Sequence, residues 1–199
     1  SPVGFLQQQQ LYLQKTAEQL DEATFDRAAQ IIAQAKRILI YGKKASSSLA
    51  QLIYFRLRRL GLQVSLLPSG GSELLEGLGQ IGEGDLVILF SFSKLSREGK
   101  ILLEQGRRAG YQTLAFVSRT CLPPEESANM NLFVYRGTEK EYHSMAAPTA
   151  LLDALVVAVT KQMGADGVAA LKTLHELKKT YFPARVVAPT KVNRGRGRW

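Results

Sequence analysis

The sequence predicts a three-layer α/β sandwich, in which helices flank both faces of a five-stranded parallel sheet. Strand-like and helical segments alternate along most of the chain. Each strand-like segment is a continuous aliphatic run rather than an alternation of apolar and polar residues, and such strands are buried on both faces. With 199 residues, of which 45% are hydrophobic, the chain suits one domain with a sizeable core.

The individual elements follow from periodicity and from the residues that end each segment. Apolar residues recur near a 3.6-residue period over residues 6–20 and 23–35, which predicts two helices before the first strand. Short apolar runs predict strands at residues 37–41, 63–67, 86–90, 113–117 and 132–135. Further helical patterns lie at residues 46–60, 72–78, 98–109, 144–163 and 168–181. Gly61 and Gly110 directly follow two of these helices, where glycine commonly ends a helix in the left-handed conformation.

Positive charge is concentrated at the C-terminal end. The net charge is +9, and residues 184–199 supply five of these positive charges while containing no acid. We therefore predict a basic, disordered tail at residues 183–199, which either keeps the protein soluble or adds weak attraction to DNA. Residues 1–36 are predicted as linker or packing helices, and residues 37–182 as the ligand-binding domain.

The sequence lacks the usual features of membrane, secreted and metal-dependent proteins. No apolar segment is long enough to span a bilayer, and no signal-peptide pattern is present. Cys121 is the only cysteine, so an internal disulfide cannot form, which fits a cytoplasmic protein. There is no metal-ligand spacing, no Walker-type loop and no nucleophilic triad signature. We expect no metal, no cofactor and no membrane partner.

Hydroxyl residues follow two of the predicted strands. Residues 42–48 read Gly-Lys-Lys-Ala-Ser-Ser-Ser, and residues 91–96 read Ser-Phe-Ser-Lys-Leu-Ser. Ligands of parallel sheets bind beyond the carboxyl ends of the strands, near a switch in strand order, and the N–H groups of the next helix favour an anion such as phosphate. The competing interpretation is that Ser93 or Ser96 only caps the helix. Because two such loops meet at one edge, we favour a phosphate site.

These two loops resemble the motifs of the SIS (sugar isomerase) domain. That domain usually carries Gly-x-Gly-x-Ser after its first strand and Ser-x-Ser-Gly-x-Thr-x-Glu after its third, where this chain has Gly-x-x-Ala-Ser and Ser-x-Ser-x-x-Ser-x-Glu. The resemblance covers about residues 20–181. Segments such as Arg-Leu-Arg-Arg-Leu-Gly at 56–61 make the chain most similar to the effector-binding half of RpiR-type transcriptional regulators. The resemblance implies a flavodoxin-like topology with a sugar phosphate between the two loops.

Carried over position by position, the resemblance also implies the site residues. The phosphate contacts would come from Ser46, Ser91, Ser93 and Ser96, with Ser47 beside them. Lys44 and Lys94 stand where the family usually has glycine, which permits a positive φ and a close backbone approach. A lysine fills space and can be strained, but it can also supply positive charge to a phosphate. These two residues therefore either aid or block binding.

The resemblance leaves three functions open. The first is the phosphosugar-sensing domain of a regulator, here without its helix-turn-helix domain, in which the ligand shifts an oligomer that positions DNA-binding domains. The second is a stand-alone aldose–ketose isomerase of sugar phosphates, for which Glu98 and His143 are the candidate general bases. The third is a module that serves only for dimerisation. The apolar faces of helices 6–20 and 144–163 predict a homodimer or tetramer, and DNA contact is expected only through an absent N-terminal domain or weakly through the basic tail.

Overall fold

The computed structural model describes residues 1–183, and these form a single five-stranded sheet. In chain order the strands are β1 (Ile38–Tyr41), β2 (Val64–Leu66), β3 (Leu86–Ser91), β4 (Gln112–Val117) and β5 (Met130–Phe133). Their order in the sheet is β2-β1-β3-β4-β5, and every neighbouring pair is parallel. The predicted parallel sheet of five strands is confirmed.

Helices cover both faces of this sheet. They are α1 (Pro2–Glu18), α2 (Glu22–Gln34), α3 (Ser46–Arg58), α4 (Gly71–Leu78), α5 (Arg97–Ala109), α6 (Ala146–Met163) and α7 (Ala165–Tyr181). Buried residues of α1, α2, α3 and α6 pack on one face of the sheet, and those of α4 and α5 pack on the other. The helix α7 packs against α6. This is the predicted three-layer sandwich.

The core consists of two apolar layers because successive strand residues point to opposite faces. In β1, Ile38 and Ile40 belong to the layer beneath α2, α3 and α6, whereas Leu39 and Tyr41 belong to the layer beneath α4 and α5. Every residue of β1 is buried. Burial on both sides explains why the strands read as unbroken aliphatic runs in the sequence.

The last strand begins and ends two residues earlier than its predicted position of 132–135. The N–H of Val134 still donates to the carbonyl of Val117 in β4, at 2.7 Å. The N–H of Tyr135 instead donates to the hydroxyl of Thr16 in α1, at 3.0 Å. The hydroxyl of Thr16 thus bonds the chain to α1 at the residue after Val134, and β5 ends beside this contact.

Two neighbouring strands, β1 and β3, begin at an ion pair whose carboxylate is buried. Arg37 donates from Nε and Nη2 to the two carboxylate oxygens of Asp85, at 3.0 and 2.6 Å, and Asp85 also accepts the N–H of Gly82 at 3.0 Å. These bonds lower the pKa of Asp85, chiefly through the hydrogen bonds from Arg37. The pair joins the segments that lead into β1 and β3 at the edge of the sheet away from the two serine loops.

The C-terminal part of the described chain is the helical pair α6 and α7. Within residues 1–183 no single helix is long and apolar enough to cross a membrane, and only α6 and α7 taken together, bent by 106°, reach that length and composition. A basic tail is predicted at residues 183–199. Of these, residues 184–199 lie outside the described residues.

Candidate functional site

A cleft of about 460 Å³ lies at the carboxyl ends of β1 and β3. These strands are neighbours, but the chain leaves β1 toward β2 on one side and leaves β3 toward β4 on the other. The cleft is therefore at the switch in strand order, where ligands of such sheets bind. It is lined by Tyr41, Lys43, Lys44, Ala45, Ser46, Phe90, Ser91, Phe92, Ser93, Lys94, Ser96, Arg136, His143 and Met145.

The first wall of the cleft is the loop between β1 and α3, which depends on Gly42. A Cβ at this position would lie 2.6 Å from the carbonyl oxygen of Ser46 and 2.7 Å from Cβ of Ala50, so only glycine fits. Two residues later, Lys44 has a φ of 54° and is the one non-glycine residue with a positive φ within residues 1–183. Lys44 stands where the SIS motif usually has its second glycine. Its backbone has the positive φ that glycine adopts easily and other residues rarely adopt.

The second wall is the loop between β3 and α5, and its three serines have different roles. Ser91 is buried, and its hydroxyl has no hydrogen-bond partner among the described residues. Ser93 is exposed at the bend that follows the strand. Ser96 is the N-cap of α5 and accepts the N–H of Gly99 at 3.1 Å. The capping interpretation is thus correct for Ser96, while Ser91 and Ser93 keep their hydroxyls available to a ligand.

Positive charge without a carboxylate partner surrounds the cleft. Lys44, Lys94 and Arg136 all line it, and none of them forms an ion pair with another part of the described chain. The backbone N–H groups of Ala45, Ser93 and Lys94 also lack a protein acceptor within residues 1–183. Unpaired cations and N–H donors in the two loops that lead into α3 and α5 form a site suited to an anion.

Arg136 is the residue of this site that the sequence analysis did not find. Its guanidinium lies 4.5 Å from the centre of the Phe92 ring and donates to the carbonyls of His143, at 2.7 Å, and Ser144, at 3.2 Å. Burial lowers the pKa of Arg136, which reflects the loss of water around this charge. The available signal was its position shortly after the last strand, at the same edge of the sheet as the serine loops.

Two of the residues selected from the sequence lie outside the cleft. The hydroxyl of Ser47 donates back to the carbonyl of Lys44 at 2.7 Å, so it braces the first loop from within. Glu98 forms an ion pair with Lys43 at 3.1 Å. The pKa of Glu98 is lowered, chiefly by its hydrogen bond from its own backbone N–H and then by Lys43. Neither side chain reaches the space between the loops.

His143 does line the cleft, but one of its ring nitrogens is engaged. Its Nε2 lies 3.1 Å from the carbonyl oxygen of Thr138, which assigns the proton to that nitrogen. No Asp or Glu lines this cleft within the part of the chain that the structure describes. The same residues 1–183 contain no group of His, Cys, Asp and Glu side chains that could hold a metal ion.

A second cleft, of about 530 Å³, continues from the first. The two share a wall formed by Phe92, Ser93, Lys94, Arg136 and His143. Beyond that wall lies Glu126, which is buried and forms ion pairs with Arg119 and Lys100. Arg119 and Lys100 together lower the pKa of Glu126, so this carboxylate is already matched by cations of its own.

Comparisons with known proteins agree with this arrangement. A protein-family model, the SIS domain, matches residues 31–158. The sugar isomerase domain of an RpiR transcription factor from Sphaerobacter thermophilus has the same fold, with a TM-score of 0.80 and 22% identity over 88% of this chain and 98% of that one. The Vibrio vulnificus NanR protein complexed with ManNAc-6P matches with a TM-score of 0.76 and 19% identity over 88% of this chain and 67% of that one.

A third solved structure has the same fold with a different bound molecule. The E. coli CFT073 protein c3406, in complex with a phosphosugar ligand, matches with a TM-score of 0.65 and 17% identity, over 87% of this chain and 96% of that one. At these identities the solved structures show a shared fold, whereas the family model spans more than half of the chain. The model match, the strand order and the two serine loops lead to one conclusion: the chain belongs to the SIS domain family.

Proposed function

We propose that this chain binds a phosphorylated sugar in the cleft between the two serine loops. The observation that carries the proposal is the set of three unpaired cations around the buried, unpartnered hydroxyl of Ser91. A buried hydroxyl without a partner costs stability, and a phosphate oxygen at this position would accept its hydrogen bond. The solved structures of NanR with ManNAc-6P and of c3406 with its phosphosugar support the same class of ligand.

We further propose that the domain senses this ligand for a transcriptional regulator. The loop that supplies Arg136 and His143 is held by α1 through several contacts. The amide of Gln8 donates to Glu141 at 2.7 Å, and the rings of Phe5 and Tyr142 lie 6.0 Å apart. A ligand that draws Arg136 toward it therefore acts on a segment joined to α1, which is a direct route from the cleft to a helix at the periphery.

The alternative is an aldose–ketose isomerase, and His143 is the observation that favours it. A proton transfer between adjacent carbons needs a general base that reaches the sugar. Glu98 is held by Lys43 outside the cleft, so His143 is the candidate that remains within reach. His143 is exposed, and its Nδ1 would have to accept the proton, because Nε2 faces the carbonyl of Thr138.

Calorimetric titration with a panel of pentose and hexose phosphates tests the proposal. Inorganic phosphate, sulfate and the unphosphorylated sugars serve as controls. We expect at least one sugar phosphate to bind with a dissociation constant at least about tenfold below that of inorganic phosphate, since the sugar adds contacts of its own. If none of the sugar phosphates binds better than sulfate, the proposed function is wrong.

Each bound sugar phosphate is then left with the protein and followed by NMR for its isomer. Recovery of the unchanged ligand supports the sensor, and conversion that stops in the variant His143→Ala supports the isomerase. Conversion that survives in that variant would assign the base to another residue.

A matched pair of variants places the ligand in this cleft. Ser93→Leu puts a bulky apolar group on an exposed residue that lines the cleft, and Ser72→Leu puts the same group on an exposed residue of α4 outside it. We expect Ser93→Leu to weaken binding by at least about a hundredfold without lowering the melting temperature, because it blocks the space and removes a hydrogen-bond donor to a charged group. Equal effects of the two substitutions would place the ligand elsewhere.

A further inference from the structure

We propose that the ligand carries a carboxylate in addition to its phosphate, so that the ligand class is a phosphorylated sugar acid. This inference rests on the proposed function and names the ligand more closely. It assigns the phosphate to the two serine loops and the carboxylate to Arg136. Three features carry it: the number of unpaired charges, their positions and the donors that Arg136 has left.

The charges exceed what one phosphate can balance. A phosphomonoester carries about −1.5 to −2 at neutral pH. Lys44, Lys94 and Arg136 bring three positive charges to the cleft, and no carboxylate lines it within residues 1–183. Lys43 is not counted, because Glu98 already pairs with it. Lys44 and Lys94 are exposed to water, whereas Arg136 is partly buried, so the positive charge that a phosphate alone leaves unmatched is costly at Arg136.

The positions of the charges divide them into two groups. Lys44 and Lys94 are on the loops that follow β1 and β3, next to the serines. Arg136 follows β5, two strands away from β3, and its side chain reaches back to the second loop, where its guanidinium lies 4.5 Å from the centre of the Phe92 ring. Arg136 lines both clefts, as Ser93 and Lys94 do, whereas Lys44 lines only the first, so Arg136 lies where a ligand can extend from the first cleft into the second.

Arg136 has the right donors left for a carboxylate. Its Nε–H is used on Ser144 and one N–H of Nη2 is used on His143. Both N–H groups of Nη1 and the second one of Nη2 have no acceptor among the described residues. This pair of nitrogens forms the fork that binds a carboxylate through two parallel hydrogen bonds. The ring of Phe92 supports the guanidinium from one face and holds the fork in place.

Matched pairs of ligands test this inference by calorimetric titration. Each pair is an aldose phosphate and the aldonate phosphate with the same carbon skeleton, such as glucose 6-phosphate with 6-phosphogluconate and arabinose 5-phosphate with its aldonate. We expect the acid of the preferred pair to bind about ten to a hundred times more tightly, the gain that a hydrogen-bonded charge pair supplies. Gluconate without phosphate measures what the carboxylate contributes alone.

The variants Arg136→Gln and Lys140→Gln each remove one positive charge from the same loop. Lys140 is exposed and lines neither cleft. We expect Arg136→Gln to abolish the preference for the acid, because it weakens binding of the aldonate phosphate at least about tenfold more than binding of the aldose phosphate, and Lys140→Gln to keep the preference. Arg136→Lys keeps the charge without the fork, so it serves if the glutamine variant does not fold, and it should lose most of the preference.

The outcomes separate this inference from the proposed function. If aldose and aldonate phosphates bind equally well to the unmodified protein, the inference is wrong and the phosphosugar site stands. A preference for the acid that survives both substitutions of Arg136 overturns the assignment of the carboxylate to this residue. If no phosphorylated compound binds, both the proposed function and this inference fail.

Discussion

Lys44 has a backbone conformation that few side chains adopt. Its φ of 54° is typical of glycine, and a residue with a Cβ is disfavoured there by about 1–2 kcal/mol. The family motif indicated this conformation, because glycine usually stands at this position, but the charge on Lys44 is specific to this chain. We interpret the positive φ of Lys44 as backbone strain that lowers the stability of the fold, whereas its side chain places a cation beside the anion site.

The variant Lys44→Gly should therefore change stability and affinity in opposite directions. Relief of the strained φ is expected to raise the free energy of unfolding by about 1 kcal/mol. Loss of the charge is expected to weaken phosphosugar binding by about tenfold. Urea denaturation measures the first quantity and calorimetric titration the second.

Lys94→Gly is the matched control for this prediction. Lys94 replaces glycine in the second loop, but its φ is not positive. Glycine at this position relieves no strain and only adds conformational freedom to the unfolded chain, so stability should fall by about 0.5–1 kcal/mol. A gain in stability in both variants, or in neither, would contradict the role given to the backbone of Lys44.

The junction of β1 and α3 determines where the first loop lies. The absence of a side chain at Gly42 lets the end of β1 approach the first turn of α3, where Ser46 lines the cleft. A substitution at this position must push the strand and the helix apart. The geometry of the site therefore depends on a residue that contacts no ligand.

Gly42→Ala is expected to lower the free energy of unfolding by about 1–3 kcal/mol, because the new methyl group meets a backbone carbonyl and a side chain that cannot move aside. It should also weaken phosphosugar binding by displacing Ser46. Gly77→Ala in α4 is the control, since a Cβ there lies 3.5 Å from Leu67 and should cause no loss of stability. Denaturation and titration of both variants check the prediction, and equal stabilities would contradict it.

The ion pair between Arg37 and Asp85 connects β1 and β3, and its contribution to the free energy of unfolding depends on pH. The pKa of Asp85 is lowered in the folded protein, so its bonds to Arg37 stabilise the fold above the ordinary pKa of an aspartate and are lost as the pH falls below it. Asp85→Asn should lower the free energy of unfolding by about 2 kcal/mol at neutral pH. Once the pH lies below the lowered pKa of Asp85, the protonated aspartate resembles asparagine, so the two proteins should become similarly stable.

Urea denaturation of both proteins between about pH 2 and pH 7 measures this difference. Other acids, such as Glu98 and Glu126, also have lowered pKa values and affect both proteins alike. The difference between the two curves therefore isolates Asp85. A difference that stays constant over the whole range would show that the pair is not the cause.

At the scale of the whole molecule, the apolar surface of α1 stays uncovered. Val3 and Leu6 are each 64% exposed, and Leu13 lies on the same side of the helix. Another side of α1, with Gln9, Tyr12 and Thr16, is buried against the rest of the domain. The second helix from which an oligomer was predicted, α6, differs. Its residues Leu151, Leu152, Leu155 and Val159 are buried within the domain, and Val157, which is 55% exposed, is the large apolar residue that α6 leaves uncovered.

Self-association through α1 remains a prediction, and analytical ultracentrifugation tests it. We expect a homodimer whose dissociation constant rises by at least about tenfold in Leu6→Glu, because an unpaired carboxylate would be placed in an apolar contact. Gln7→Glu adds the same charge at the next exposed position, about 100° further round the helix. A monomer in the unmodified protein, or equal weakening by the two variants, would contradict the prediction.

Local sequence patterns predicted most of the helices and strands of this molecule. Continuous aliphatic runs predicted the five strands, and the periodic segments predicted the helices, since both patterns record which faces are buried. The strand that was displaced, β5, ends where Thr16 accepts the N–H of Tyr135, and a contact between residues so far apart in the chain leaves no local signal.

The sequence by itself determined the layers of the fold, its family and the two serine loops, because each of these depends on residues that are close together in the chain. Only the tertiary structure decided which side chains share the cleft. Arg136, which follows β5, lies beside Phe92, which follows β3. The hydroxyl of Ser47 donates to its own loop, and Glu98 forms an ion pair with Lys43. The physical reason is that the site lies where separate strands end, so its charges are brought together by the order of strands in the sheet and not by their order in the chain.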